Sequence, residues 1–138
     1  MPATVEPTSY GHRCVFVDPI TLAETVAWFD ELKRRVDAKT SFGQLVDLRG
    51  RHQLTGAQDQ QAVVQEAMAY ILAHGLTRSA VVVATPRIAM KIKQLAFGTN
   101  VYERERYIDG SVPDWEQTAL AWIEHGVDPD YKPHDPGF

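Results

Sequence analysis

The feature that most constrains the fold is a repeated alternation between short β-prone runs and longer stretches with a one-sided apolar pattern. Four stretches carry apolar residues at spacings of three and four, which predicts four amphipathic helices. They begin after Thr21, Thr55, Thr85 and Ser111, and they end near Lys39, Gly75, Gly98 and Gly126. Each start carries a hydroxyl side chain, which can accept a hydrogen bond from the first helical turn and is therefore expected to cap its helix.

The β-prone runs lie before and between these helices, at residues 14–17, 42–48, 79–84 and 101–108. Residues 3–10 are expected to add an antiparallel strand that pairs with residues 13–17. The segment Ala-Val-Val-Val at 80–83 is apolar on both faces, as in a central strand covered by helices on each side. This order predicts an α/β fold with a mixed, mostly parallel sheet of four to five strands and about four helices.

The length of 138 residues fits a single domain, which we expect over residues 1–126, with a proline-rich tail at 127–138. The net charge of −4 argues against a nucleic-acid-binding surface, which needs clustered basic residues. No apolar run reaches the ~20 residues that span a bilayer, and the first residues lack the pattern of a secretory signal. We therefore expect a cytoplasmic protein without integral membrane association.

The common catalytic and cofactor-binding motifs are missing. No glycine-rich phosphate loop follows a predicted strand, and no serine lies in a nucleophile elbow. Cys14 is the only cysteine, which excludes a multi-cysteine zinc site, and its apolar surroundings predict a buried side chain. No two histidines have the spacing of neighbouring ligands on a helix. The expectation is a protein that is not an enzyme and has no catalytic residues, cofactor or metal.

The segment Glu-Arg-Glu-Arg at 103–106 raises the question of a catalytic carboxylate pair. Alternation along a strand places Glu103 and Glu105 on one face, with the two arginines on the other. Such a pattern is typical of a solvated edge strand or of ion pairs across strands. A solvated or cross-strand-paired strand is the expected structure, and an acid–base role is the open alternative.

One loop is the expected location of a binding site. The strand at 42–48 and the loop after it carry Asp47, Arg49, Arg51 and His52, and the next helix starts at Thr55. Ligands of open α/β sheets bind at the carboxyl ends of strands, where this loop lies. These five residues therefore form the predicted partner-binding surface.

Thr55 has two interpretations. Together with Gln58 it has the spacing of a capping box, in which each side chain bonds the other residue's backbone N–H. A helix N-terminus also stabilises negative charge, so a phosphoryl group on Thr55 would be physically favourable. A capping role is the expectation, and a phosphoacceptor role is the alternative.

Two long segments carry a family resemblance: RSAVVVATPRIAMKIKQLAF at 78–97 and ERERYIDGSVPDWEQTALAWIEHG at 103–126. The second contains an Arg-Tyr step at 106–107 and the pattern Ala-Leu-Ala-Trp-Ile at 119–123. The first half fits more loosely, through VFVDPITLAET and FGQLVDLRG. With these features the chain resembles the SpoIIAA-like members of the STAS superfamily over most of residues 12–126.

The resemblance implies a STAS/SpoIIAA-like fold, related in shape to Sec14-like lipid-binding domains, and action through partners rather than catalysis. Phosphoregulated members carry an Asp-Ser-Ser-Gly turn at a helix start, and the matching positions here begin at Thr55 and lack the serines. The leading expectation is therefore a non-catalytic regulatory or protein-interaction module of a bacterial signalling type. It would bind an unidentified protein partner or form a homodimer.

Two other functions stay open at this point. The first is a carrier of a small apolar or lipid-like ligand, implied by the shape relation to Sec14-like domains. The second is an enzyme with a site around Asp47, His52 and Lys91, which no motif supports.

Overall fold

The computed structural model describes residues 2–37, 41–51, 58–96 and 101–130, with only the backbone of Leu95, Ala96 and Tyr102. Within these ranges the elements are β1 (Ala3–Pro7), β2 (Gly11–Val17), α1 (Leu22–Asp37), β3 (Phe42–Gly50), α2 (Gln58–Ala73), β4 (Leu76–Val83), α3 (Pro86–Ala96), a 3-10 turn (Val101–Arg104), β5 (Glu105–Asp109) and α4 (Trp115–His125). Strands and helices alternate after β2, as the apolar patterns predict.

The five strands form one sheet in the order β1-β2-β3-β4-β5. Strands β1 and β2 are antiparallel, and all later neighbours are parallel. Because each parallel strand lies beside the preceding one, right-handed crossovers place α1, α2 and α3 on the same face of the sheet. Helix α4 covers the other face. The predicted α/β fold with a mixed, mostly parallel sheet is confirmed.

Each face has its own apolar core. The α1–α3 face includes Cys14, Phe16, Trp28, Leu32, Leu48, Met68, Ile71, Val81 and Ile92. The α4 face comprises Leu45, Ala80, Val82, Ile108, Ala119, Trp122 and Ile123. Along β4 the side chains alternate between the two cores, so this strand is covered on both sides as predicted. The Trp122 indole also donates a hydrogen bond of 3.0 Å to the backbone carbonyl of Ser79.

The predicted helix caps have different outcomes. Thr21 and Glu24 form a reciprocal capping box with hydrogen bonds of 3.0 and 3.1 Å, which confirms the prediction for α1. Thr85 accepts a longer bond of 3.4 Å from the Ile88 backbone. The prediction for Ser111 is wrong, because its hydroxyl donates to Asp109 at 2.6 Å and α4 begins only at Trp115. The predicted cap at Thr55 lies outside the described residues.

The last predicted strand needs a correction. Residues 101–104 form a 3-10 turn, so the strand begins only at Glu105. The expectation of a solvated carboxylate holds for the exposed Glu103 but is wrong for Glu105, which is 3% exposed. Glu105 pairs with Ser79 of β4, and this neighbour gives its carboxylate a hydrogen-bond donor inside the protein.

The first residues of the predicted tail lie against the domain. The Arg106 guanidinium donates to both carboxylate oxygens of Asp128, at 2.9 and 3.1 Å. The same guanidinium lies over the Trp122 ring, 4.4 Å from its centroid. Residues 127–130 are therefore anchored next to α4, and residues 131–138 lie outside the described part of the chain.

Candidate functional site

Four buried polar side chains form a row across the sheet, one from each of the parallel strands β2 to β5. The strand register pairs His12 with Gln44, Gln44 with Ser79, and Ser79 with Glu105. Their exposed fractions are 0%, 4%, 0% and 3%. Residues opposite each other in a sheet project from the same face, so the register brings these four side chains into one line.

Hydrogen bonds connect the whole row. The His12 Nε2 atom lies 2.7 Å from Gln44 Oε1, and Gln44 Nε2 donates to Ser79 Oγ at 3.1 Å. Ser79 Oγ then donates to Glu105 Oε2 at 3.1 Å, and the Tyr107 hydroxyl donates to Glu105 Oε1 at 2.8 Å. Because the Gln44 oxygen accepts, His12 carries its hydrogen on Nε2. Every donor in the row therefore points toward Glu105, which is the final acceptor.

The Glu105 carboxyl group has a strongly altered acidity. Burial raises its pKa to about 7, although the hydrogen bonds from Tyr107 and Ser79 act in the opposite direction. Within the described parts of the chain, no basic side chain forms an ion pair with this carboxylate. Burial and the nearby carboxylate also raise the pKa of Tyr107. Glu105 therefore changes its charge near neutral pH.

A cavity of about 580 Å³ lies between the sheet and helices α1–α3. Its apolar lining consists of Phe16, Trp28, Leu32, Val46, Leu48, Val64, Ala67, Met68, Ile71, Val81 and Ile92. The volume falls within the ~300–1,000 Å³ that is typical of small-molecule sites, which are also mostly apolar. The cavity is thus large enough for a small organic molecule.

The cavity also has polar residues in its lining. Gln44 and Glu105 contribute from the polar row, and Arg51, Gln60, Gln61, Gln65, Lys91 and Gln94 contribute from the helices and the end of β3. Gln44 and Leu48 are four positions apart on one strand, so the cavity extends over about 13 Å along the sheet. Lys91 and Gln94 are exposed, which places an opening beside α3. The cavity therefore combines a mostly apolar lining, exposed polar residues on α3 and the buried Glu105 carboxyl group.

Asp47 and Arg49, from the predicted partner-binding surface, contact each other on the α4 face. The Asp47 carboxylate accepts bonds of 3.0 and 2.9 Å from the Arg49 side chain, and one of 3.2 Å from Arg13. Burial acts to raise the pKa of Asp47, but the hydrogen bonds and charges of the two arginines outweigh it, and the pKa is lowered. The Arg49 guanidinium lies 4.1 Å from the Trp115 ring centroid.

Arg51 has different surroundings from Asp47 and Arg49. It lines the cavity on the α1–α3 face, and its Nε atom donates to Asp18 at 3.0 Å. Its ion pair with Asp18 is therefore separate from the Asp47–Arg49 pair. His52 and Thr55, the other members of the predicted surface, lie outside the described residues.

Sequence reasoning did not predict the polar row or the cavity. A signal for the row is present, because β2 to β5 each carry a polar residue within their first four positions. What the sequence did not supply was the alignment of the strands, which depends on tertiary pairing.

By contrast, Cys14 is fully buried as predicted, and burial raises the pKa of its thiol to about 12.

The described ranges lack two further classes of site. No group of three or more His, Cys, Asp or Glu side chains there is arranged to hold a metal ion. Likewise, no helix in these ranges has the length and apolar character to cross a membrane.

Comparisons with known proteins give no match among protein-family models, curated proteins or solved structures. The STAS-like features therefore remain a resemblance in sequence pattern, accompanied by an α/β fold. Since one fold can host many functions, the function has to be argued from the geometry and chemistry of the site.

Proposed function

We propose that the protein binds a small, elongated and mostly apolar molecule in the cavity between the sheet and helices α1–α3. The observation that carries this proposal is a mostly apolar cavity whose lining includes one buried carboxyl group, Glu105, of shifted pKa. A concave apolar site with a few converging polar groups and a perturbed pKa is the usual form of a ligand site. The proposal corresponds to the carrier function that the sequence left as an alternative.

The size of the cavity predicts how affinity depends on ligand length. Each buried methylene contributes about 0.8 kcal/mol, which corresponds to about a four-fold gain in affinity. A chain that lies along the sheet fills the cavity at a length of about 13 Å, or about ten carbons. The affinity of straight-chain alcohols should therefore rise with length and then level off.

This dependence can be measured by displacement of an apolar fluorescent probe with a series of alcohols. Ala67 lines the cavity on α2, so Ala67→Phe should place a ring in it and weaken binding by about ten-fold or more. Ala73→Phe is the matched control, because Ala73 lies on the same helix but is exposed. Val64→Phe provides a second blocking variant. If Ala67→Phe and Val64→Phe unfold cooperatively yet bind like the unchanged protein, the cavity is not the site.

A second candidate function is the STAS-like regulatory module that the sequence resemblance implies. The observed α/β architecture agrees with that family's layout, and this agreement supports the candidate. The partially exposed Arg49 stacks on Trp115 and offers a charged and aromatic contact surface. On this hypothesis the protein acts by contacting a protein partner or a second copy of itself.

Paired alanine variants test this candidate. Arg49→Ala with Arg51→Ala should abolish a partner interaction or dimerisation, as followed by analytical ultracentrifugation of the purified components. Arg34→Ala with Arg35→Ala on α1 is the charge-matched control. Intact mass measurement of protein from its source cells would reveal a phosphoryl group, and Thr55→Ala would show whether Thr55 carries it. An interaction that survives the Arg49 and Arg51 changes would contradict the surface assignment.

A further inference from the structure

We infer that the cavity selects ligands whose polar end is a protonated amine, which donates its hydrogens to Glu105. This inference rests on the cavity-binding function proposed above and names the chemical class of the ligand. Its basis is the direction of the hydrogen bonds in the polar row, together with the charges that surround the cavity.

The Glu105 carboxylate can accept more hydrogen bonds than the protein supplies to it within the described residues. An ionised carboxylate offers about four acceptor positions and no donor. Ser79 and Tyr107 occupy two of them, one on each oxygen. Because Glu105 also lines the cavity, the remaining acceptor capacity is available to a ligand on that side. A ligand that donates is complementary to this end of the cavity.

Several charged side chains lie on the elements that surround Glu105. The charged and titratable side chains on elements around Glu105 are His12 of β2, Tyr107 of β5, Glu103 and Arg104 of the 3-10 turn, Lys91 and Lys93 of α3, and Arg51 after β3. Helices α1 and α2 line the cavity with apolar and uncharged residues.

None of the basic groups in this set neutralises Glu105. Arg51 pairs with Asp18 at 3.0 Å, Arg104 donates to the Leu76 carbonyl at 3.1 Å, and Lys93 lies 5.1 Å from the Tyr107 ring centroid. Lys91 is exposed at the opening, where water and salt screen its charge. A buried carboxylate without a counter-charge is unfavourable, so a cationic ligand stabilises it.

A negatively charged ligand group is unfavourable beside Glu105. A carboxylate ligand at this position would face a like charge in a weakly screened interior, and one of the two groups would have to take up a proton. A neutral alcohol can donate one hydrogen bond but supplies no charge. The order of affinity at alkaline pH is therefore amine, then alcohol, then acid.

Three probes with the same carbon chain test this order: octylamine, octanol and octanoic acid. Displacement of an apolar fluorescent probe at about pH 8.5 should show octylamine binding about ten-fold more tightly than octanol, as expected for one charge-assisted hydrogen bond. Octanoate should bind more weakly than octanol. Isothermal calorimetry at about pH 7, in buffers of different ionisation enthalpy, would report the protons that Glu105 releases when the amine binds, whereas almost none should be released at about pH 8.5.

The pH dependence gives an independent readout. Burial raises the pKa of Glu105 to about 7, and the alkylammonium group stays charged well above that pH. Between about pH 8.5 and about pH 5.5 the ionised fraction of Glu105 falls, and octylamine affinity should fall by up to about thirty-fold. Octanoic acid should show the opposite trend, and octanol should change little.

Glu105→Gln and Glu103→Gln form a matched pair of variants. Glu105→Gln retains the shape but removes the charge, so it should remove both the preference for octylamine and its pH dependence. Glu103→Gln, at an exposed position, should leave both unchanged. Cooperative thermal unfolding of each variant serves as the check on folding.

The outcomes separate this inference from the function on which it rests. If all three probes bind equally, and Ala67→Phe blocks all of them, the cavity function stands and the amine selectivity is wrong. If Glu105→Gln retains a ten-fold preference for octylamine, Glu105 is not the recognition group. If no probe binds at any pH, both the cavity function and the selectivity fail.

Discussion

Asp47 and Glu105 are both buried carboxylates on parallel strands, but they project from opposite faces of the sheet. Asp47 is 5% exposed and lies on the α4 face between two arginines. Glu105 is 3% exposed and receives hydrogen bonds only from two hydroxyl groups within the described residues. The pKa of Asp47 is lowered, whereas that of Glu105 is raised to about 7. Burial alone therefore does not set the charge of a carboxyl group; the presence of a counter-charge decides it.

The two faces also differ in packing. On the α4 face Ala119 is fully buried, and a Cβ atom added to Gly43 would lie 2.5 Å from Ile123. On the other face the helices leave a cavity of about 580 Å³ beside Glu105. The α4 face, where arginines neutralise Asp47, is closely packed. The α1–α3 face, where no basic side chain of the described residues forms an ion pair with Glu105, has room for a ligand. On the proposed function, the first face serves stability and the second serves binding.

The largest expected effect tests the packing difference. Ala119→Phe forces a ring into the closely packed α4 face and should lower the free energy of unfolding by about 3 kcal/mol. Ala67→Phe makes the same change at the cavity, where the ring has space, and should lower it by less than about 1 kcal/mol. Urea denaturation measures both. Equal losses would mean that the two faces are packed alike.

The next effect concerns Glu105 and its pH dependence. The pKa is raised from 4.5 to about 7 on folding, so the folded state binds more protons between these values. The contribution of Glu105 to the free energy of unfolding should therefore be largest below about pH 4.5 and fall by about 3 kcal/mol as the pH rises through about 7. Urea denaturation across this range should show the decline.

Two variants test whether Glu105 causes that decline in the free energy of unfolding. Glu105→Gln should remove it, because the group no longer ionises, while Glu103→Gln should retain it. A decline that persists unchanged in Glu105→Gln would assign the titration to another group.

The smallest expected effect concerns Asp47, whose contribution to stability changes with pH in the opposite direction from that of Glu105. Its lowered pKa means that the ionised form stabilises the fold, and this contribution is lost as the pH falls below the ordinary value of 3.8. Asp47→Asn removes the charged partner of Arg13 and Arg49 and should reduce stability at neutral pH by about 2 kcal/mol. The variant should also lose less stability on acidification. Asp30→Asn, at an exposed position, is the control. An unchanged acid response in Asp47→Asn would contradict the contrast between the two carboxylates.

Most of the fold follows from local patterns. The one-sided apolar pattern after Thr21 and its capping box with Glu24 correspond to α1 as observed. The apolar run of β4 corresponds to a strand covered on both faces. These predictions succeed because helix capping and apolar periodicity depend on neighbours in sequence. The predictions for the start of β5 and for the N-terminal cap of α4 are wrong, because the polar residues there have other hydrogen-bonding partners nearby.

The candidate site was less accessible to prediction. The chain itself places Asp47 two residues from Arg49, and their side chains do form a pair. Glu105, in contrast, looks like one of four charged residues in a solvated strand. Its burial depends on Ser79, which is 26 residues away in the chain and adjacent only through strand pairing. A local pattern contains no information about such a partner.

The sequence by itself determined the α/β class, the alternation of strands and helices, and the burial of Cys14, because these depend on local periodicity and composition. The tertiary structure alone decided which polar side chains align across the sheet, which carboxylate is neutralised by arginine, and where the helices leave a cavity. The physical reason is that strand register and helix packing join residues far apart in the chain. The pKa of Glu105 and the space beside it are consequences of that arrangement.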